Sequence, residues 1–168
     1  MDINILWLVP VAYAIHIIEE APRFVPWTKR YSWLFTSQFT MPKFILGNCL
    51  FMAYVLISIF LAISYHGEWT LVLGLSTAAW IFSNFLLHAT ITLYSGEYSP
   101  GVVTAGALYV PISLYIYSNF LKSGILTPLD ILWSIIIGFA VMYLPQLNAI
   151  RFERKLREEN SVNQYKQN

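Results

Sequence analysis

Long apolar runs, separated by shorter polar segments, dominate the chain. A helix needs about 20 residues to cross the hydrocarbon core of a bilayer, with about 17 as the lower limit. Five runs meet this length, and they cover roughly residues 3–21, 44–65, 70–94, 101–121 and 129–150. The pattern predicts an all-α fold: a polytopic membrane protein built as a bundle of five transmembrane helices.

The segments between the runs differ in length. The first connection, residues 22–43, is long and carries Trp27 and Trp33, so we expect it to lie along the membrane interface, where aromatic rings are favoured. The other connections are short, which predicts antiparallel neighbours. The five helices form one predicted domain, 1–150, and a polar tail, 151–168, follows. The tail starts with helix-forming residues and is expected to fray.

The basic residues predict the orientation, because cytoplasmic loops are enriched in Lys and Arg. With five spans, the first connection, the third connection and the tail share one side of the membrane. That side carries nine of the ten basic residues, and the other side carries only Lys122. The N-terminus is therefore predicted outside and the C-terminus in the cytoplasm, in a multi-pass protein of what we expect to be a bacterial plasma membrane.

Composition agrees with a membrane location. Hydrophobic residues make up 57% of the chain and charged residues only 11%, whereas soluble domains carry about 25% charged residues. The net charge of +1 leaves no electrostatic footprint for a nucleic acid. The start of the chain lacks the basic region of a secretory signal peptide, so we expect the first helix to be retained.

Polar residues gather at the predicted cytoplasmic end of the first helix, in the sequence His16-Ile17-Ile18-Glu19-Glu20. At about 100° per residue, Glu20 lies about 40° from His16 around the helix and Glu19 about 60° away on the other side. One imidazole and two carboxylates therefore lie within a turn and a half. Ionisable groups at membrane depth are costly and are usually functional.

Polar residues of the other helices fall in the same half of the bundle. Asn84 and His88, four residues apart, share one face of the third span. The second span starts on this side with Asn48, and the fourth carries Thr104 one turn after its start. The outer half is apolar and aromatic, so we expect one polar site near the cytoplasmic leaflet.

Three short motifs resemble those of the HXXEE-motif membrane proteins. They are His16-x-x-Glu19-Glu20, then Asn84-x-x-x-His88, then Tyr98-Ser99-Pro100-Gly101. The resemblance spans roughly residues 5–110. It implies a small multi-span protein with functional residues at the first two motifs, and it implies no reaction.

The first hypothesis for this site is a metal-dependent membrane enzyme. Two imidazoles and a carboxylate make a three-ligand set with an open position for water. The candidate ligands are His16, His88 and one of the two glutamates, with Glu20 as the first choice, and the remaining glutamate of the pair Glu19 and Glu20 is the candidate base. Zinc is the first choice, and iron also suits two histidines and one carboxylate. The candidate catalytic residues are Glu19, Glu20, Asn84 and Tyr98, with Asn48 and Thr104 as candidate substrate or supporting contacts. The expected substrate is a membrane lipid or another apolar small molecule, which is hydrolysed or oxidised.

Three alternatives stay open. One is a metal-free acid–base isomerase or cyclase of sterol or isoprenoid type, in which a buried carboxylic acid donates the proton. Another is a proton-coupled transporter or small-ligand binding protein, since Glu and His also build proton relays. The last is a non-catalytic partner subunit. The sequence leaves homodimerisation open.

Overall fold

The computed structural model describes residues 2–31 and 39–167, and the regular elements of this part are helices. A 3₁₀ turn, Ile3–Trp7, leads into α1, Leu8–Glu20, and α2, Phe24–Thr28, is followed by a second 3₁₀ turn, Lys29–Tyr31. The longer helices are α3, Met41–Tyr65, and α4, Glu68–Ser95. Next come α5, Val102–Thr104, a π-helical segment, Ala105–Tyr109, and α6, Val110–Ser123; α7 covers Pro128–Gln167.

Local chemistry explains where the long helices begin and end. Pro42 lies in the first turn of α3, where the missing N–H would have no helical acceptor. Left-handed residues end three helices: His66 after α3, Gly96 after α4 and Gly124 after α6. This conformation commonly closes a helix C-terminus. The resulting turns between α3 and α4 and between α6 and α7 are short.

The central helix of the bundle is α4, which packs against α1, α3, α6 and α7. At Gly138 of α7 an added Cβ would lie 2.5 Å from the Ser76 carbonyl oxygen and 2.7 Å from the Ala79 Cβ, so only glycine permits this approach of α7 to α4. The Ser113 hydroxyl donates to the Ala78 carbonyl over 2.8 Å. Small residues and such interhelical hydrogen bonds are typical of packing inside membranes.

Within residues 2–31 and 39–167, four helices are long and apolar enough to cross a membrane: Ile3–Glu20, Met41–Tyr65, Glu68–Ser95 and Pro128–Leu156, with mean hydropathies from 1.4 to 2.3. Their outward faces are also apolar. Leu50 is 63% exposed, Phe60 is 61% exposed and Leu129 is 60% exposed. Contiguous exposed apolar surface on this scale fits a lipid environment.

The structure differs from the sequence prediction at two places. The tail is continuous with α7 as far as Gln167, so the expected fraying is wrong for the described residues. Its sequence is rich in helix formers, and Lys155 lies 3.8 Å from Glu159 one turn later. The described start of the first connection packs on the bundle, where Trp27 and Phe44 belong to one buried apolar cluster. Trp33, also predicted to be interfacial, lies outside the described residues.

Candidate metal centre and its cavity

The ends of α1 and α4 bring two imidazoles and a carboxylate together. His88 Nε2 lies 3.4 Å from one oxygen of Glu20, and His16 Nε2 lies 3.8 Å from the other. One ligand atom from each of the three residues can be chosen so that all lie within 4.8 Å of one another. The exposed fractions are 0% for His16, 6% for Glu20 and 1% for His88. The expected convergence of the first and third spans is therefore present.

A hydroxyl group lies within hydrogen-bonding distance of Nδ1 of each imidazole and orients the ring. His16 Nδ1 lies 3.0 Å from the Thr104 hydroxyl, which donates its own proton to the Gly101 carbonyl. This arrangement fits the tautomer in which His16 Nδ1–H donates to the hydroxyl, and that tautomer has its lone pair on Nε2. His88 Nδ1 lies 2.8 Å from the Ser99 hydroxyl. Each Nε2 is thus turned toward Glu20, and His16 Nε2 is buried with no hydrogen-bond partner.

The turn between α4 and α5 supplies these contacts. Gly101 has a φ of +94°, and a Cβ added there would lie 2.4 Å from His16 Cε1. The imidazole therefore packs directly on the Gly101 backbone, which a side chain would prevent. Ser99 and Gly101 belong to the third motif of the sequence, and both contact a histidine of the other two motifs. The three motifs therefore form one structural unit.

Glu19 bonds to this turn rather than to an imidazole. One of its oxygens accepts from the Gly101 N–H over 3.2 Å and from the Tyr98 hydroxyl, and the other accepts from the Thr104 N–H over 2.7 Å. Burial and the hydrogen bond to the Glu19 carboxylate raise the pKa of the Tyr98 phenol above its ordinary value. Glu19 thus joins the end of α1 to the start of α5, where backbone N–H groups have no helical acceptors.

Tyr109, at the end of the π-helical segment, packs against the opposite side of His16. The two ring centroids are 4.8 Å apart, and the Tyr109 hydroxyl is buried without a hydrogen-bond partner in the described structure. Pro111 is predicted to bend this span, and the irregularity lies just before it, in the Ala105–Tyr109 segment. Single π-helical turns are frequent at functional sites.

A cavity of about 220 Å³ reaches the cluster from the side of α3 and α7, and Glu20 and His88 form part of its wall. The aromatic rings of Phe24 and Trp27 lie over His88, with centroids 6.2 and 6.4 Å away. Most of the remaining wall is apolar. A molecule in this cavity would therefore meet the carboxylate and one imidazole in an otherwise apolar setting.

Asn48 and Asn84 line this cavity instead of contacting the imidazoles. Asn48 accepts the Tyr13 hydroxyl proton over 2.5 Å. The Asn84 amide makes only a 4.0 Å contact with the Met142 sulfur, and its oxygen is buried without a partner in the described structure. The hydroxyl of Ser99, and not the Asn84 amide, lies at hydrogen-bonding distance from His88 Nδ1. The catalytic roles predicted for Glu19, Glu20, Asn84 and Tyr98 stay predictions.

Sequence reasoning missed Ser99, Gly101 and Tyr109 as members of the site. Ser99 and Gly101 lie in a recognised motif, which was the available signal, but the motif does not say which histidine each contacts. Tyr109 carries no such signal, because an aromatic residue in an apolar span is ordinary.

Among the comparisons with known proteins, only a sequence family matches the chain. No curated protein and no solved structure matches it significantly. A family model, described as a protein of unknown function with HXXEE motif, matches residues 7–116. The match runs from just before α1 into α6 and contains His16, Glu20, His88 and the turn that holds them. The chain belongs to the HXXEE-motif family.

Proposed function

We propose that this protein is an integral membrane enzyme in which His16, Glu20 and His88 bind one divalent metal ion. The observation that carries the proposal is the cluster itself. Three buried ligand groups converge within 4.8 Å, and a hydroxyl group orients each imidazole from behind. Hydrogen-bonded partners of this kind fix the ring orientation and tautomer of metal-binding histidines.

The distances suit a small ion. Ligand atoms at about 2.0–2.1 Å from a tetrahedral zinc lie about 3.3 Å from one another. The two imidazole-to-carboxylate distances, 3.4 and 3.8 Å, are close to that value, and the longest separation of at most 4.8 Å needs only small side-chain rotations. Zinc is the first candidate and iron the second, since two histidines and one carboxylate serve both.

The charge balance also favours a cation. The ion-pairing partners that the described residues give Glu20 are His16 and His88. An ionised carboxylate between two neutral imidazoles would be a buried, uncompensated charge, which is strongly unfavourable. A divalent ion removes that cost and also gives the unpartnered His16 Nε2 a ligand role.

The chemistry we propose is metal-assisted hydrolysis or oxidation of a lipid-like molecule. A zinc ion with three protein ligands lowers the pKa of a bound water to about 7 and polarises a carbonyl group. Glu20 and His88 face the cavity, so the reacting group of a substrate would lie there. Asn84 lines the same cavity and is positioned to contact the polar group of a substrate. Glu19 is a positioning residue in this account.

The membrane arrangement we propose has five spans, with residues 102–123 as the fourth. The three consecutive segments Val102–Thr104, Ala105–Tyr109 and Val110–Ser123 together are long enough to cross. With five spans, the basic residues place the C-terminus and the metal cluster toward the cytoplasm.

Metal content tests the proposal. Purified wild-type protein, washed with a weak chelator, is expected to retain about one zinc or iron ion per chain, bound by three buried protein ligands with a fourth position open to water. His16→Ala and His88→Ala are expected to lose it while remaining folded by circular dichroism. His66→Asn is the matched control, because His66 lies in the turn after α3 and asparagine tolerates its positive φ. A metal-free wild-type protein, or equal metal content in all variants, would contradict the proposal.

A metal-free acid–base enzyme is the second candidate. The observation that favours it is the place of Glu20, whose carboxyl group lies between two imidazoles and also lines the cavity. A proton shared within this cluster would balance the buried charge as a cation does. Activity that survives complete removal of metal would select this candidate over the first.

A further inference from the structure

The cavity beside Glu20 and His88 is a groove whose walls are mainly one face of each of α3, α4 and α7, and Tyr13, Glu20 and Phe24 of α1 and α2 complete the lining together with Phe39. On α3 the lining residues Phe44, Gly47 and Phe51 recur at spacings of three and four, and on α7 the lining residues from Met142 to Ala149 do the same. The floor is α4, from Trp80 to His88. Seven or eight residues of helix correspond to a length of about 11–12 Å.

The volume of the groove limits what it can hold. An engineered cavity of about 150 Å³ in another protein accommodates one benzene molecule, so about nine carbon atoms fit into 220 Å³ at the same density. A stretch of one hydrocarbon chain has this size and length. The fused rings of a sterol, or two chains side by side, are larger than this volume.

The groove opens between α3 and α7. Both helices pack along α4, and neither packs extensively against the other. The cavity is partly open, and exposed leucines flank it on both helices, with Leu50 at 63% exposure and Leu147 at 46%. Lipid would therefore reach the groove from the side, within the bilayer.

The two ends of the groove differ in polarity. Lys43, in the first turn of α3, and Gln146 of α7 lie at the end nearest His88, whereas Phe51 and Trp80 lie at the other end. An anionic group is favoured beside Lys43, and an apolar chain is favoured beside Phe51 and Trp80. The metal ligands lie close to the Lys43 end.

We propose, on the basis of the metal-dependent function above, that the substrate is a single-chain lipid with an anionic head group. Its head lies at Lys43, its chain lies along α4 between α3 and α7, and the bond that reacts lies within a few atoms of the head. This substrate class follows from the groove and excludes sterols and intact two-chain phospholipids.

Photo-crosslinking in lipid nanodiscs tests this assignment. The probe is a palmitic acid that carries a diazirine in the middle of its chain, and the adducts are mapped by peptide mass spectrometry. We expect labelling at groove residues of α3, α4 or α7. Unlabelled palmitate should compete at concentrations at which cholesterol does not, and hexadecanol, which lacks the charge, should compete less well than palmitate.

Gly47→Leu is the decisive variant, because a Cβ at Gly47 meets no atom within 4 Å and the leucine therefore fills the groove without a backbone clash. Groove labelling should fall about tenfold or more, as expected when added side-chain volume excludes a ligand. Ala53→Leu adds similar bulk to an exposed position of α3 and should leave labelling unchanged.

Metal content is measured on the same samples, so that a failure of the metal proposal can be distinguished from a failure of the substrate proposal. We expect the same metal content in wild type and both variants, and loss of groove labelling only in Gly47→Leu. Equal labelling of Gly47→Leu and wild type, or equal competition by cholesterol, would overturn the single-chain assignment even if the metal is present. Equal competition by hexadecanol would overturn the anionic head group.

Discussion

Gly101 is the residue at which the backbone and the proposed metal ligands meet. Its positive φ is a conformation that other residues adopt at a cost of about 1–2 kcal/mol, and its missing side chain leaves the space that the His16 ring occupies. Gly96 has a similar φ of +67°, but an added Cβ there meets nothing within 4 Å. Substitutions at these two glycines therefore distinguish the effect of backbone strain from the effect of contact with the His16 ring.

Gly101→Ala is expected to destabilise the protein more than Gly96→Ala does. Both variants incur the backbone cost, but only Gly101→Ala also pushes a methyl group against His16, which adds about 1–3 kcal/mol. Thermal unfolding in detergent, followed by circular dichroism, measures the difference. Only Gly101→Ala should also lose metal. Equal unfolding midpoints and equal metal content would show that His16 does not depend on this contact.

The hydroxyls behind the imidazoles are expected to set metal affinity. Thr104→Val and Ser99→Ala each remove the hydrogen-bond partner of one Nδ1, and loss of such a partner typically weakens metal binding about 10–100-fold. Competition with a fluorescent zinc chelator measures the affinity. Thr104→Ser should restore most of it, and Ser83→Ala, which removes a buried hydroxyl bonded to a carbonyl of its own helix, should have no effect.

Wild-type affinity in Thr104→Val would contradict this arrangement, because the orientation of His16 would then come from elsewhere.

At the scale of residues, helical periodicity predicted part of the site from the sequence. It predicted that Glu19 and Glu20 lie on either side of His16 and point about 100° apart, and the structure gives the two carboxylates different partners: Glu20 contacts the imidazoles and Glu19 contacts the turn before α5. It did not identify Ser99, because a residue in a turn has no periodicity and its partner depends on how the chain folds back after α4.

At the scale of secondary-structure elements, Glu19 caps the start of α5. Gly101, the residue before that helix, lies 82 residues after Glu19 in the chain. Its carboxylate accepts the N–H groups of Gly101 and Thr104. This contact fixes where α5 starts relative to the end of α1, and α5 in turn carries the hydroxyl of Thr104 to His16. The two adjacent glutamates therefore have different neighbours and should respond differently to substitution.

Glu19→Ala is expected to lower the unfolding midpoint, since two backbone donors lose their acceptor at a total cost of about 1–2 kcal/mol for a partly exposed group. Glu19→Gln, which retains an acceptor oxygen, should recover about half of this loss. Glu20→Gln should abolish metal binding with little loss of helix content. Thermal unfolding and metal content are measured on all three variants. Identical behaviour of the Glu19 and Glu20 variants would contradict separate roles.

Element prediction succeeded where the apolar pattern was long and failed at irregular backbone. The runs at 44–65 and 70–94 coincide closely with α3 and α4. Pro111 predicted an irregularity, but hydropathy does not distinguish a kink from the π-helical turn that ends at Tyr109. The packing of the described start of the first connection on the bundle depends on tertiary contacts such as Phe24 with Phe44, which no local pattern contains.

At the scale of the whole molecule, the proposed five spans place Tyr65 and Lys122 on the same, outer side. If residues 102–123 did not cross, the two would lie on opposite sides. Single cysteines at these positions and at Glu159, in a Cys49→Ala background, are expected to react with an impermeant maleimide in intact cells at the first two positions only. Labelling of Glu159→Cys together with protection of Lys122→Cys would indicate four spans.

The central claim is that two imidazoles and a carboxylate of one buried cluster bind a metal ion. X-ray absorption at the zinc edge of the purified, chelator-washed protein measures this most directly. The account predicts a shell of nitrogen and oxygen ligands at about 2.0–2.2 Å with outer scattering from two imidazole rings, and loss of this bound zinc in His88→Ala. A shell containing sulfur, a spectrum unchanged in His88→Ala, or the absence of zinc and iron would contradict it.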